Sequence, residues 1–207
     1  MSPIHGGFGG GRGRPIDRDY IESFLARHAA DVQGRVLKVA ASDYTHRFGG
    51  NRVHAAPLLH VDPAHPGATW TADLADDAAL PTSHFDAFIC TQTLRYIFDL
   101  PRAVATVHRI LEPGGVLLLT VPGISQINPY DRARWGEHWR FTPQSVQRLL
   151  GGTFGEGAAE VLAHFNVLAD IGFLHELACE DLDVAELDHT DDRYPMLITA
   201  RVQKSAD

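Results

Sequence analysis

Three stretches of the chain gather side chains able to do chemistry. Residues 123–141, GISQINPYDRARWGEHWRF, carry Tyr130, Trp135, His138, Trp139 and Arg140, a mixture too polar and aromatic for a mere connector and suited to a lid over a bound molecule. His138 is the group there that can give or take a proton near neutral pH. His60, Asp62 and His65 offer donors that suit zinc or iron(II), but Pro63 and Pro66 interrupt their spacing and no metal site is expected. The run from Glu180 through Asp181, Asp183, Glu186, Asp188, Asp191 and Asp192 lacks the glycine and the ordered alternation of a calcium loop, so it reads as a solvated loop. The fragment GGFGGGRG near the amino terminus follows no strand and is not a phosphate loop.

These groups are positioned by an alternation of short apolar runs with helical patterns. Strands are expected at 35–40, 57–61, 68–72, 85–90, 116–121, 160–165 and 196–203. After Pro15, apolar residues at Ile16, Tyr20, Ile21, Phe24 and Leu25 form one face of a helix that ends near Gly34. Pro101 opens a helix with Val104, Val107, Ile110 and Leu111 on one face, closed by Pro113-Gly114-Gly115. Thr142 caps another, with Pro143 in its first turn, Val146, Leu149 and Leu150 inward, and a stop at Gly151-Gly152. A further helix carries Val167, Leu168, Ile171, Leu174 and Leu177. The pattern is that of an α/β fold, a doubly wound, mostly parallel sheet with helices on both faces. One domain over 15–207 follows a flexible, Gly-rich tail, residues 1–14, that could fold over a ligand.

With 207 residues, 44% of them hydrophobic and 21% charged, the chain can bury the core of one such domain and is not a disordered polymer. Its formal charge of −8 argues against a grip on nucleic acid or on an anionic membrane, which leaves a small molecule or another protein as partner. Two cysteines, Cys90 and Cys179, make no disulfide framework, and no apolar run is long enough for export or for a membrane span. Cytoplasmic residence is expected. Nothing in the composition points to a homo-oligomer.

Residues 80–123 are the most informative. They read as a turn, a buried strand, a helix, a tight Gly-Gly turn and a second buried strand. Parallel strands bind ligands at their carboxyl ends, so Thr91-Gln92-Thr93 and Pro122-Gly123-Ile124 should line one crevice. Leu80-Pro81, Ser83 to Asp86, Arg109-Ile110-Leu111 and Pro113-Gly114-Gly115 resemble the class I S-adenosylmethionine (SAM) dependent methyltransferases, especially their small-molecule branch. The resemblance covers about residues 34–122 and implies a seven-stranded, mostly parallel sheet with a reversed last hairpin. It also implies SAM as cofactor, lying across Val39, Ala40, Ala41, Ser42 and Asp43, with Asp62 on the ribose, Asp73 and Leu74 at the adenine, and Thr91 and Gln92 beside the methionine part. The acceptor would be a hydroxyl or amine of a small metabolite or sugar-bearing intermediate. His138 is then the candidate base, and Arg18, Tyr20, Tyr130, Trp135, Trp139 and Arg140 are candidate substrate-binding residues.

The first motif departs from the family. Where relatives carry an acid followed by three alternating glycines, this chain has Lys38, then Ala40, Ser42 and Tyr44. Glycine serves such a turn because backbone approaches the ligand closely and can take positive φ. Two outcomes follow: a displaced loop still cradles the cofactor, or Lys38 and Tyr44 fill the hollow and leave a methyltransferase-like domain that serves as a binding or assembly subunit.

Overall fold

The computed structural model describes residues 4, 8–41, 43–191 and 193–206, with the side chain of Asp77 set aside. Helix α1 (Ile16–Arg27) enters directly from Pro15, with Asp17 and Asp19 in its first turn and Arg27 in its last, charges that complement the helix dipole. Strand β1 (Gly34–Val39) follows, then helix α2 (Asp43–Gly49), β2 (Val53–Ala55), β3 (Leu58–His60) and β4 (Trp70–Thr71). The central crossover is β5 (Phe85–Thr91), α3 (Leu100–Ile110) and β6 (Leu111–Pro122). Helices α4 (Pro129–Trp135) and α5 (Pro143–Phe154), strand β7 (Ala159–His164), helices α6 (Val167–Leu174) and α7 (Val184–Asp188) and strand β8 (Leu197–Gln203) complete the chain.

The strands form one sheet in the order β4-β3-β1-β5-β6-β8-β7, with β2 beside the start of β1. All pairs are parallel except those of β8, which runs antiparallel to both β6 and β7. The reversed last hairpin is therefore present. Eight strands replace seven because a short strand that was not expected, β2, precedes the one expected at 57–61, which is β3; Pro57, with no N–H to donate to the ladder, separates the two. The Pro57 carbonyl still accepts from the Lys38 N–H at 3.2 Å.

Both sheet faces are covered. Leu37, Phe88, Leu117 and Leu119 meet Val104, Val107 and Ile110 of α3 and Val146 and Leu150 of α5. On the other face Val36, Ala87, Ile89 and Leu118 meet Ile21, Phe24 and Leu25 of α1, with Phe165 and Phe173. The expected punctuation of α3 has a direct cause: Asp99 caps it by accepting from the Arg102 N–H at 3.1 Å. Arg109 of the same helix donates to the Leu80 carbonyl at 2.9 Å and to Thr82 at 3.0 Å, which ties the Leu80-Pro81 turn to the following helix.

Four helices differ from expectation. Helix α1 stops at Arg27, well short of Gly34, and α3 stops at Ile110, so that Leu111 and Pro113-Gly114-Gly115 belong to β6. Helix α5 runs through Gly151-Gly152 to Phe154, because Phe154 packs on the core and against His108, and the left-handed stop is Gly155. Helix α6 turns its expected apolar face outward: Val167, Leu168, Ile171 and Leu174 are exposed, whereas Ala169, Asp170, Gly172 and Phe173 are buried. Gly172 is the reason, since a Cβ there would press on Leu182 at 3.3 Å and Ile16 at 3.6 Å, so close approach selects the small-residue face. The described part of the Gly-rich tail, residues 4 and 8–14, is tied to this side of the body, with the Ile4 N–H donating to the His175 carbonyl at 3.1 Å. Phe8 packs on Phe173 with ring centres 5.9 Å apart, Arg12 pairs with Asp181 at 2.6 Å, and Arg14 pairs with Asp19 and Glu22. Among the described residues no helix is long and apolar enough to cross a membrane.

Candidate active site

The end of β1 decides whether the altered motif still forms a cradle. Ala40 has φ +70°, the left-handed conformation that glycine takes without strain and alanine does not. Its neighbours close a tight turn around it, with the Ala41 N–H donating to the Val39 carbonyl at 2.9 Å. Lys38 braces that turn. Its Nζ donates to the same Val39 carbonyl at 3.0 Å and to Thr91 Oγ1 at 3.1 Å, so one side chain links the ends of β1 and β5. The backbone shape of a glycine turn is kept without its glycine. Ser42 lies outside the described residues.

In front of this turn lies an open cavity of about 620 Å³. Val39, Ala40 and Ala41 form one wall, Asp62 the end of β3, Asp73 and Leu74 the next connection, and Thr91 and Gln92 the end of β5. Asp43 opens α2 and is not among the lining residues. Asp62 and Asp73 each hold a local turn, accepting from the Ala64 N–H at 2.9 Å and the Ala75 N–H at 2.8 Å, while facing this hollow. Gln92 is itself left-handed, φ +54°, and its buried Oε1 has no hydrogen-bond partner among the described residues. A buried amide oxygen without a partner is an acceptor still open in the cavity wall. Carboxylates for hydroxyls, apolar walls at Leu59 and Ile97 for a flat ring, and this unpaired acceptor together suit an adenosyl group. Neither Lys38 nor Tyr44 plugs the space.

His60 and His65 stack with ring centres 3.9 Å apart, and His60 Nδ1 accepts from the Asp62 N–H at 3.0 Å. These rings carry Trp135, which sits edge-on to His60 at 5.3 Å and closes the cavity from above as the last residue of α4. Asn128 caps this helix and Gly136, φ +76°, ends it. Beneath α4 runs a polar network absent from the sequence reading. Arg95, buried, reaches Asp131 at 3.7 Å and the fully buried Glu137 at 3.5 Å, and Arg140 pairs with Glu137 at 2.7 Å. Tyr96 donates to Asp131 at 2.9 Å, and burial pushes its phenol up to about 12.

A second cavity, about 630 Å³, adjoins the first and shares Thr91, Gln92 and Asp131 with it. It is walled by Gly10, Gly13 and Arg14 of the tail, Asp17 and Arg18 of α1, Tyr44, Arg95, Ser125 and Asn128. Burial raises the Asp17 carboxyl above its ordinary value, against the opposing pull of Arg18 and Arg95.

Of the residues expected to bind substrate, Arg18 lines this second cavity and Trp135 the first. The others are placed elsewhere. Tyr20 packs on Phe165 with ring centres 4.0 Å apart and bonds the Leu187 carbonyl. Tyr130 is exposed beneath the Arg134 guanidinium. Trp139 donates to the Ile97 carbonyl at 2.9 Å and stacks on Phe98, and Arg140 secures the Ser125 and Gln126 carbonyls. His138 is exposed, lies over Gly136 and edge-on to Phe98, and lines neither cavity. The segment holds the roof rather than the floor. Arg95, Asp131 and Asp17, which the sequence reading left out, face the space instead. Among the described residues no group of three or more metal-ligating side chains converges.

No curated protein matches the sequence. Among solved structures, a SAM-dependent methyltransferase from Mesorhizobium loti superposes with a TM-score of 0.58 at 20% identity, covering 91% of this chain and 98% of that one. The N-methyltransferase NodS from Bradyrhizobium japonicum WM9, in complex with S-adenosyl-L-homocysteine (SAH), gives 0.56 at 15%, covering 93% and 89%. The cyclase SpnF gives 0.60 at 17%, covering 100% and 89%. Similarity at this level speaks for the fold. The sequence profile described as "Methyltransferase domain" matches residues 18–150, well over half of the chain, and the protein therefore belongs to the methyltransferase domain family.

Proposed function

We propose that the protein transfers the methyl group of SAM to a hydroxyl or amine of a small metabolite or sugar-bearing intermediate held in the second cavity. The observation that carries this reading is the junction of the two cavities at Thr91, Gln92 and Asp131, which would bring donor and acceptor together at one point. Bound SAM supplies a methyl group activated by sulfonium. Asp62 accepts from the ribose hydroxyls, Asp73 and Leu74 border the adenine, and Val39, Ala40 and Ala41 follow the backbone of the tail. Gln92 gives its unpaired carbonyl to the ligand and fixes its approach. Trp135 and α4 exclude water from the junction.

An acceptor hydroxyl must lose a proton as it is methylated; Asp131, at the junction, already accepts from Tyr96 and Asn128, and Asp17, in the wall of the second cavity, is the carboxylate assigned to take the proton. Its raised affinity for protons suits a base. Arg18, beside it, favours an acceptor that carries negative charge. The reading is tested with methyl-labelled SAM and a small-metabolite extract. Label should appear in a small-molecule product distinct from SAM, and Asp17→Asn should slow that transfer about a hundredfold while SAH affinity stays the same. Transfer at the wild-type rate by the variant would remove Asp17 from the chemistry, and no transfer by either protein would favour the assembly-subunit role.

A further inference from the structure

Lys38 is the most unusual charge in the molecule. It lies near the carboxyl end of β1, between β3 and β5, 6% exposed, and belongs to no ion pair among the described residues. A buried ammonium without a carboxylate is costly, and the two oxygens that hold it, Val39 O and Thr91 Oγ1, are neutral. The groups around it do not compensate. Tyr44 offers a ring face 5.6 Å from Nζ, and Cys90, fully buried, holds its proton well above neutral pH because of desolvation. Asp43 acts on it only at a distance. An ammonium has three protons, and two are used. Lys38 also lines the cofactor cavity at the end where β1 and β5 meet.

Resting on the SAM reading above, we propose that Lys38 is the specificity-determining residue of the tail subsite and receives the carboxylate of the methionine moiety. An acid at this place would draw the ammonium end of that tail. A lysine there reverses the requirement: the subsite takes ligands that bring a negative charge and disfavours those that bring only a positive one. A carboxylate completes the third bond and neutralises the buried charge, so binding repairs a defect present in the free protein. The same contact would also lock the turn around Ala40, because one Nζ would join ligand, Val39 and Thr91. Retention of the sharp turn without glycine and reversal of the charge beside it are then two parts of one change.

Three probes separate the parts of this claim in equilibrium titrations. SAH carries carboxylate and ammonium, its decarboxylated analogue carries the ammonium alone, and 5′-deoxy-5′-methylthioadenosine carries neither. The wild type should bind SAH at least about tenfold more tightly than methylthioadenosine, and the decarboxylated compound no better than methylthioadenosine. Lys38→Met should reduce SAH affinity about tenfold to a hundredfold and leave methylthioadenosine within about threefold. Lys38→Arg should keep the preference for SAH. Equal binding of SAH and its decarboxylated analogue by the wild type, or undiminished SAH binding by Lys38→Met, would overturn the proposal while methylthioadenosine binding upheld the nucleoside site. If Lys38→Met loses methylthioadenosine as well, the ranking of the three probes by the wild type decides. If none of the three binds the wild type, the cofactor reading falls, and this proposal with it.

Discussion

The two cavities that meet at Thr91 and Gln92 are built from different material. The first is made by the carboxyl ends of β1, β3 and β5, rigid elements paired on both sides, and roofed by Trp135. The second is made by appended parts: the tail at residues 8–14, the first turn of α1, and the loop around Ser125 and Asn128. A site fixed by a sheet can change its side chains and keep its backbone, as the left-handed Ala40 shows. A site assembled from appended segments depends on the polar bonds between them. One cavity is conserved in shape by the fold, and the other is specified by pairs of charges far apart in sequence.

That difference can be broken at its weakest point. The fully buried Glu137 side chain holds Arg95, Arg140 and the Asn128 N–H, so Glu137→Ala leaves Arg140 without a carboxylate, Arg95 with Asp131 alone, and the Asn128 N–H without its acceptor. It should cost about 3 kcal/mol in chemical denaturation and open the amides of 128–136 to exchange, with the strands around Ala40 unaffected. Equal exchange in both regions would mean that the two cavities fold as one unit.

At the other cavity, Asp62→Ala should weaken SAH binding by about 1–3 kcal/mol with little change in melting temperature. Because Asp62 also holds the Ala64 turn, a control is needed, and Asp62→Asn keeps that acceptor while losing the charge. An unchanged SAH affinity in both variants would take Asp62 out of the site.

A pH test sharpens the comparison from behind the second cavity. Asp170, next to the buried face of α6, has both carboxylate oxygens buried without partners, and desolvation raises it from 3.8 to about 7. Between these values the folded state holds a proton that the unfolded state has lost, so the contribution of this group to stability falls as pH rises towards 7. Asp170→Asn removes that penalty, and its gain in melting temperature should be larger at pH 8 than at pH 5. A gain independent of pH would show that the carboxyl does not titrate in this range.

The smallest effect concerns the turn. Ala40→Gly relieves a left-handed alanine and should stabilise the fold by about 1 kcal/mol, less the entropy that glycine loses, and SAH binding should tighten modestly. A destabilised variant would mean that the turn is held by more than its own dihedral preference.

Legibility in the sequence follows the same division. The β5–α3–β6 crossover announces itself, since Pro101 marks the start of α3 and Pro113-Gly114-Gly115 marks the return into the sheet, although the strand already begins at Leu111. Thr91 and Gln92 could be placed because parallel strands deliver their ends to one crevice, whereas the family resemblance places Asp62 and Asp73; all four line the same cavity. The altered turn was legible as a departure but not in its shape, because only tertiary pairing forces alanine into positive φ. The facing of α6 depended on Gly172 meeting Leu182 and Ile16, a contact that periodicity does not carry. His138 stood out by its aromatic neighbours, yet those neighbours hold it against Phe98 on the outside. Asp17 and Arg95 lie 78 residues apart, and only the fold brings both to one cavity wall.

The most direct test is calorimetric titration of the untreated protein with SAH. Saturable binding of one molecule per chain, displaced by SAM, is the predicted result. Absence of heat at millimolar ligand would contradict it and leave a methyltransferase fold whose sheet-end hollow serves some other purpose.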